Sequence, residues 1–291
     1  MLCPLLFLIY INDIDVCAHP LQDTGRISLF ADDAKMYATD PPTLQHSLNL
    51  VGDWLQNHQL RLATNKCSTL HISKTTETPD FYLDSNLVSK TEYIKDLGII
   101  IERNLKWTRH IDSISHNAAA SSYHIIRFTK TRNIWTLIKL FTTYVRSKLE
   151  YNTPIWNPTT KEDKTKIEQI QKKFTRLIFK RCNLSYSSYS DRLKQVNLKS
   201  LEYRRTFNDI IFMHKIINGL AGMDFNTYFS YRTNPYVLRG KRTTVVAKLK
   251  CDTPLWLNSF FTRGPKLWNA LPQELTDIKF LHLFRQHLKK I

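Results

Sequence analysis

Apolar and polar positions fall into a few rhythms along the chain, and each predicts an element. Leu5-Leu6-Phe7-Leu8-Ile9-Tyr10-Ile11 is apolar throughout. Pro4 suits a first helical turn, and Leu5, Leu8, Ile9 and Asn12 share a face, which predicts a buried core helix. In Ile27-Ser28-Leu29-Phe30 alternate residues point to opposite sides, which predicts a strand. The adjacent Asp32 and Asp33 then fall at a tight turn, because Asp-Asp is a poor strand interior. After the break at Asp40-Pro41-Pro42, Leu44, Leu48, Val51 and Leu55 mark an amphipathic helix with Trp54 beside the stripe. Residues 59–72 read as strand, turn, strand. Residues 74–92 read as an exposed loop with a short hairpin around Phe81-Tyr82-Leu83, and 93–101 as a strand.

Beyond Trp107 the rhythm is helical. A helix is expected over 110–130. Asn133 caps the next, whose core face is Ile134, Leu137, Ile138, Phe141, Tyr144, Val145 and Leu149. Thr159 or Thr160 with Glu162 or Asp163 makes a capping-box start. The helix that follows turns Ile167, Ile170, Phe174, Leu177 and Ile178 inward. Its other face carries Lys164, Lys166, Lys172, Lys173, Arg176, Lys180 and Arg181. Residues 183–190 are a Ser/Tyr-rich linker, 200–218 a further amphipathic helix stopped by Gly219, and 232–250 a basic loop.

Charge sharpens this outline. The 291 residues carry a formal net charge of +17. The first 60 hold only Arg26 and Lys35 against seven aspartates, so the excess of basic residues lies downstream. An acidic head on a basic body points to a metal-loaded centre beside a polyanion-binding surface. Few acids balance the 164–181 stripe, which favours phosphate binding over a merely solvated helix face. The five cysteines are scattered, without zinc-ligand spacing, and fit a reducing compartment. The opening apolar run is too short for a membrane span and lacks a signal-peptide pattern, so the protein is expected inside the cell, in nucleus or cytoplasm, and not secreted.

Candidate chemistry centres on the aspartate pair. Two like charges about 4 Å apart repel by roughly 4 kcal/mol at an effective dielectric near 20. A divalent cation removes that cost, and hard carboxylate oxygens suit magnesium. The alternative is an Asx-rich turn with solvated charges.

The segments CPLLFLIYINDI and LFADDAKMY, at this spacing, resemble the middle of the reverse transcriptases of non-LTR, LINE-type, jockey-like retrotransposons. YVRSKLEYNTPIWNP is similar to the run that follows the palm in that family, and FFTRGPKLWNALPQEL to its C-terminal tail, with Arg263, Trp268, Asn269 and Pro272 the most recognisable residues. Cys3 stands where the family usually has glycine. Asp96 replaces the usual aromatic of the primer-grip strand. The tail carries no evident chemistry, and core packing is the expected role of Trp268.

The resemblance implies an α+β fold: a partial polymerase palm over 1–105, a helical thumb-like region over 106–185 and a helical, basic C-terminal region over 186–291. It implies an RNA-directed DNA polymerase, a nucleotidyltransferase with two Mg2+ ions, an RNA template, a DNA primer and a dNTP. Asp32 and Asp33 match the hairpin ligands, Asp32 as the main one. Lys66 matches a lysine that either protonates the leaving pyrophosphate or neutralises its charge, or is simply solvated. Gly98 either admits a nucleic-acid backbone or marks a bulge. Lys164, Lys172, Lys173, Arg176, Lys180 and Arg181 are the candidate duplex contacts. The family's third catalytic carboxylate and its fingers precede the matched region. An N-terminally truncated polymerase, inactive alone, is therefore expected, with a non-catalytic nucleic-acid-binding protein as the alternative.

Overall fold

The computed structural model describes residues 3–14, 25–73, 79–185, 188–233, 244–247 and 253–290. The expectations for 74–78, for 186 and 187, and for 234–243 and 248–252 lie outside them. The fold is α+β, mostly helical with small two-stranded sheets. It divides after Lys106 into two units, Met1–Lys106 and Trp107–Ile291. The helices on either side of residue 185 belong to the same unit.

In the first unit α1 (Cys3–Ile11) precedes the hairpin β1 (Gly25–Phe30) and β2 (Asp33–Ala38), and α2 (Pro41–Asn57) follows. Asp40 caps α2 by accepting the Thr43 amide at 2.9 Å, with Pro41 in the first turn. Ile11, Ile14, Val51, Trp54 and Leu55 form the core, and Phe7, Ile27, Leu29 and Met36 pack against it. The helix over the opening run is present, but its buried face is not the expected one. Leu5, Leu8 and Ile9 are exposed, while Phe7, Ile11 and Ile14 turn inward. An all-apolar helix carries no polar face to mark its outside, so periodicity could not orient it.

Beyond α2 the strands are short. The expected strand-turn-strand over 59–72 is a 3₁₀ turn, Thr64–Lys66, and a two-residue strand β3 (Ser68–Thr69). β4 (Tyr82–Leu83) pairs with β5 (Asn86–Leu87), and β6 (Ser89–Lys90) runs parallel to β3. The expected single strand at 93–101 is a hairpin of β7 (Tyr93–Asp96) and β8 (Ile99–Glu102). Leu97 (φ 43°) and Gly98 (φ 87°) form its loop. Positive φ at both positions is the type I′ pattern, so Gly98 serves a turn rather than a bulge.

The second unit is helical. α3 (Thr108–Phe128) packs on α7 (Lys161–Arg181). Between them come α4 (Ile134–Phe141), a π-turn Thr142–Arg146, α5 (Ser147–Glu150) and α6 (Thr153–Trp156). Asn133 caps α4 by accepting the amides of Trp135 and Thr136. The π-turn spaces its hydrogen bonds five residues apart. Phe141, Val145 and Leu149 therefore stay buried at steps of four, and Tyr144, expected beside them, is exposed.

α8 (Tyr189–Gln195), α9 (Leu201–Ile217), α10 (Phe225–Tyr228), the pair β9 (Tyr231–Thr233) and β10 (Thr244–Val246), α11 (Pro254–Leu257), α12 (Phe260–Asn269), α13 (Gln273–Thr276) and α14 (Leu281–Leu288) complete the chain. Part of the expected basic loop at 232–250 is thus strand. α9 and α12 lie close. A Cβ on Gly264 would sit 3.0 Å from the Phe260 ring and 3.2 Å from Met213 Sδ. Met213, Phe260, Trp268 and Phe284 share one core.

Candidate metal-binding hairpin and basic helix face

The β1–β2 register pairs Phe30 with Asp33 and leaves a two-residue loop, Ala31 and Asp32. Ala31 adopts φ 54°, the first-position pattern of a II′ turn. Asp32 sits in the loop and Asp33 opens β2, so both carboxylates stand at the hairpin tip, and both residues are exposed. Alternation fixes the rest. Ile27, Leu29 and Met36 face the core, and Ser28, Phe30, Asp33, Lys35 and Tyr37 share the other side. On that side Lys35 Nζ lies 2.6 Å from Asp96 Oδ1. Asp96 thus holds the basic neighbour of the aspartate pair, a role its own stretch of sequence does not reveal.

Asp32 and Asp33 offer oxygen donors of the type magnesium takes, but two carboxylates do not complete a site. Among the described residues no group of three His, Cys, Asp or Glu is placed to hold a metal ion. Lys66 ends the exposed 3₁₀ turn in the same unit.

α7 begins at Thr160, whose hydroxyl accepts the Asp163 amide at 3.1 Å and donates to Asp163 Oδ2 at 2.8 Å. Ile167, Ile170, Phe174 and Ile178 are buried, and Phe141 stacks on Phe174 at 4.6 Å. Leu177, expected inward, is exposed, and Thr175 and Phe179 are buried in its stead. The inward face is therefore rotated by part of a turn toward α8 and α9. Gln171 fixes that junction by donating to the Tyr189 hydroxyl at 3.0 Å and the Lys199 carbonyl at 3.1 Å. Glu168 accepts the Leu201 amide at 2.9 Å and the Tyr189 hydroxyl. Burial, and next the hydrogen bond to Glu168, push the Tyr189 phenol well above its usual range.

The seven basic residues divide by partner. Lys164 pairs with Glu202 at 3.0 Å and Lys166 with Asp112. Arg181 turns its guanidinium onto the carbonyls of Ile126 and Thr129 at the end of α3. Lys172, Lys173, Arg176 and Lys180 are exposed. Lys173, Arg176 and Lys180 step by three and four along α7 with Lys172 beside Lys173, and the four form the open half of the stripe. Cations without an ion-pair partner among the described residues are the ones best placed for phosphates.

The tail motif proves structural. Arg263 contacts Asp209 at 3.2 Å and the Pro154 carbonyl at 2.9 Å. Asn269 takes the Val246 amide at 3.0 Å and donates to its carbonyl at 2.8 Å, extending the pairing at β10. Trp268 is buried in the core as expected. Among the described residues no helix is long and apolar enough to cross a membrane.

No family model matches the chain, and no solved structure matches it. An uncharacterised protein of Caenorhabditis elegans is 31% identical over 126 residues, 43% of this chain and 64% of that protein. The RNA-directed DNA polymerase from mobile element jockey of Drosophila funebris is 24% identical over 195 residues, 60% of this chain and 21% of the polymerase. Its Drosophila melanogaster counterpart is 23% identical over 192 residues, 61% of this chain and 21% of the polymerase. The match spans about a fifth of the length of these polymerases and about two-thirds of the worm protein. The chain is thus distantly similar to the reverse transcriptases of mobile elements.

Proposed function

We propose that this chain carries the metal-binding hairpin of an RNA-directed DNA polymerase together with a helix face that tracks a nucleic-acid duplex. The observation that carries the reading is the position of Asp32 and Asp33 at the tip of β1–β2. Metal-assisted nucleotidyl transfer needs carboxylates held in fixed positions to bind the ions, and a hairpin tip holds two. The jockey polymerases support the assignment. Asp32 and Asp33 would hold magnesium, which would supply Lewis-acid activation of a hydroxyl nucleophile and charge neutralisation at a leaving pyrophosphate. Asp32 is assigned as the principal ligand, Asp33 as its support and Lys66 as a positive charge for the triphosphate of an incoming dNTP. Lys172, Lys173, Arg176 and Lys180 take the phosphates of the RNA template and DNA primer.

Two hairpin carboxylates, with no third donor placed beside them among the described residues, assign the chain metal and nucleic-acid binding but no turnover alone. Primer extension on an RNA template with Mg2+ is expected to yield no product from the purified chain, and robust synthesis overturns that part. Binding to an RNA–DNA duplex is expected to weaken with salt at about 0.9 log unit per phosphate neutralised, a slope near −3.6 for four contacts. Salt-insensitive binding overturns the helix-face assignment.

A second reading, a non-catalytic nucleic-acid-binding protein, draws on the open cations of α7 alone. Asp32→Ala separates the two. It abolishes Mg2+ binding under the first reading and changes nothing under the second.

A further inference from the structure

Where α7 ends, the second unit holds a cavity of about 400 Å³. Three cations line it, Arg176 and Lys180 from α7 and Arg192 from α8, with Ser185 at its edge. Its apolar wall is Leu177, Phe179 and Leu184, of which Leu177 and Leu184 are exposed. Arg192 is only 5% exposed. Its guanidinium reaches the Thr175 hydroxyl at 3.4 Å and the Lys172 carbonyl at 3.5 Å and lies 5.7 Å over the Tyr189 ring. The junction through Gln171 and Glu168 anchors that ring, so Arg192 is positioned before any ligand arrives.

Resting on the nucleic-acid reading above, we propose that this cavity binds the terminal phosphate of a nucleic-acid strand, with the attached nucleoside against Leu177, Phe179 and Leu184. Cavities of roughly 300–1,000 Å³ accept small-molecule ligands, and this one is of a size for a single nucleotide unit. The exposed Arg176 guanidinium and Lys180 ammonium, with the buried positive charge of Arg192 behind them, suit a phosphomonoester, with its three free oxygens and charge of about −1.5 to −2, better than an internal diester. The apolar wall adds what inorganic phosphate cannot use. Lys172 and Lys173, one turn earlier on the same helix, would hold the following backbone phosphates.

The test is fluorescence anisotropy of the full chain with one labelled 12-nucleotide strand bearing either a 5′-phosphate or a 5′-hydroxyl. The phosphorylated strand is expected to bind about tenfold tighter. Arg176→Gln with Lys180→Gln, both exposed and harmless to folding, is expected to erase that ratio. Lys172→Gln with Lys173→Gln is expected to lower both affinities and keep it. Arg192→Gln, with its melting temperature checked, should act like the first pair. Competition by AMP assigns the phosphomonoester chemistry to a free nucleotide as well as a strand end. Equal affinity for the two strands, with duplex binding intact, overturns the cavity proposal and leaves the helix-face reading standing. Displacement by a glutamate-rich peptide but not by AMP also overturns it. Absence of any nucleic-acid binding overturns both.

Discussion

Arg263 Nε meets the Asp209 carboxylate at 3.2 Å, and Asp209 is 1% exposed. Asn157 donates to the same oxygen at 2.9 Å. Residues from α12, α9 and the end of α6 therefore converge on one buried charge. Burial pushes the Asp209 carboxyl above its usual range, and Arg263 opposes that rise. Removing one partner of a buried pair leaves the other charge uncompensated, which costs about 3–5 kcal/mol. Arg263→Ala is expected to destabilise the second unit by that amount in urea unfolding. Asp209→Asn added to it should recover a large part, because the stranded carboxylate is then gone. Additive losses in the double-mutant cycle would mean that the two residues do not act as a pair.

Asn269 offers a milder case. Its amide makes both hydrogen bonds of a strand neighbour to Val246. Asn269→Ala leaves a partly buried N–H and C=O without them, a loss of about 1–3 kcal/mol. Amide exchange at Val246 should rise by at least tenfold if that contact protects it. Unchanged exchange would show that the strand holds without the side chain.

How much of this was readable beforehand divides by range. Helix starts were legible because caps are written within four residues: Asn133 and Thr160 cap as read, and Asp40 and Ser200 prove to cap the helices whose starts fell at the 40–42 break and at residue 200. The hairpin position of Asp32 and Asp33 followed from the alternation before them and from Asp-Asp being a poor strand interior. Faces were less secure. Leu5, Leu8 and Ile9 lay in a helix with no polar side to orient it, and Tyr144 was displaced by a π-turn whose local sequence carries no warning. Long-range partners were not legible at all. Arg263 and Asp209 are 54 residues apart, and neither residue's neighbourhood names the other. The same holds for Lys35 and Asp96, and for Arg192 beneath α7.

The β7–β8 loop carries a correctable strain. Leu97 holds φ 43° ahead of Gly98. A left-handed conformation costs an ordinary residue roughly 1–2 kcal/mol, and Asn-Gly is the pair a type I′ loop prefers. Leu97→Asn is expected to stabilise the first unit by about 0.5–1 kcal/mol, whereas Gly98→Val should destabilise it by more. Thermal unfolding of both variants checks the sign, and a less stable Leu97→Asn protein would mean that the Leu97 side chain contributes more than its backbone strain takes away.

His110 gives the second unit an acid limit. It is 2% exposed in α3, with the Trp156 ring edge-on at 5.1 Å. Burial pulls its imidazole from 6.5 down to about 4. The folded state therefore binds that proton less readily than the unfolded chain. The resulting stability is complete above about pH 6.5 and is lost as pH falls toward 4, with a full range of roughly 3 kcal/mol. The slope reaches about 1.4 kcal/mol per pH unit inside that window. His110→Phe keeps a ring beside Trp156 and removes the titration. Its stability should fall less steeply than that of the parent between pH 6.5 and 4, while the two curves run parallel above pH 7. Urea unfolding followed by tryptophan fluorescence across that range decides the matter, and parallel curves throughout would show that His110 is protonated as easily in the folded chain as in the unfolded one.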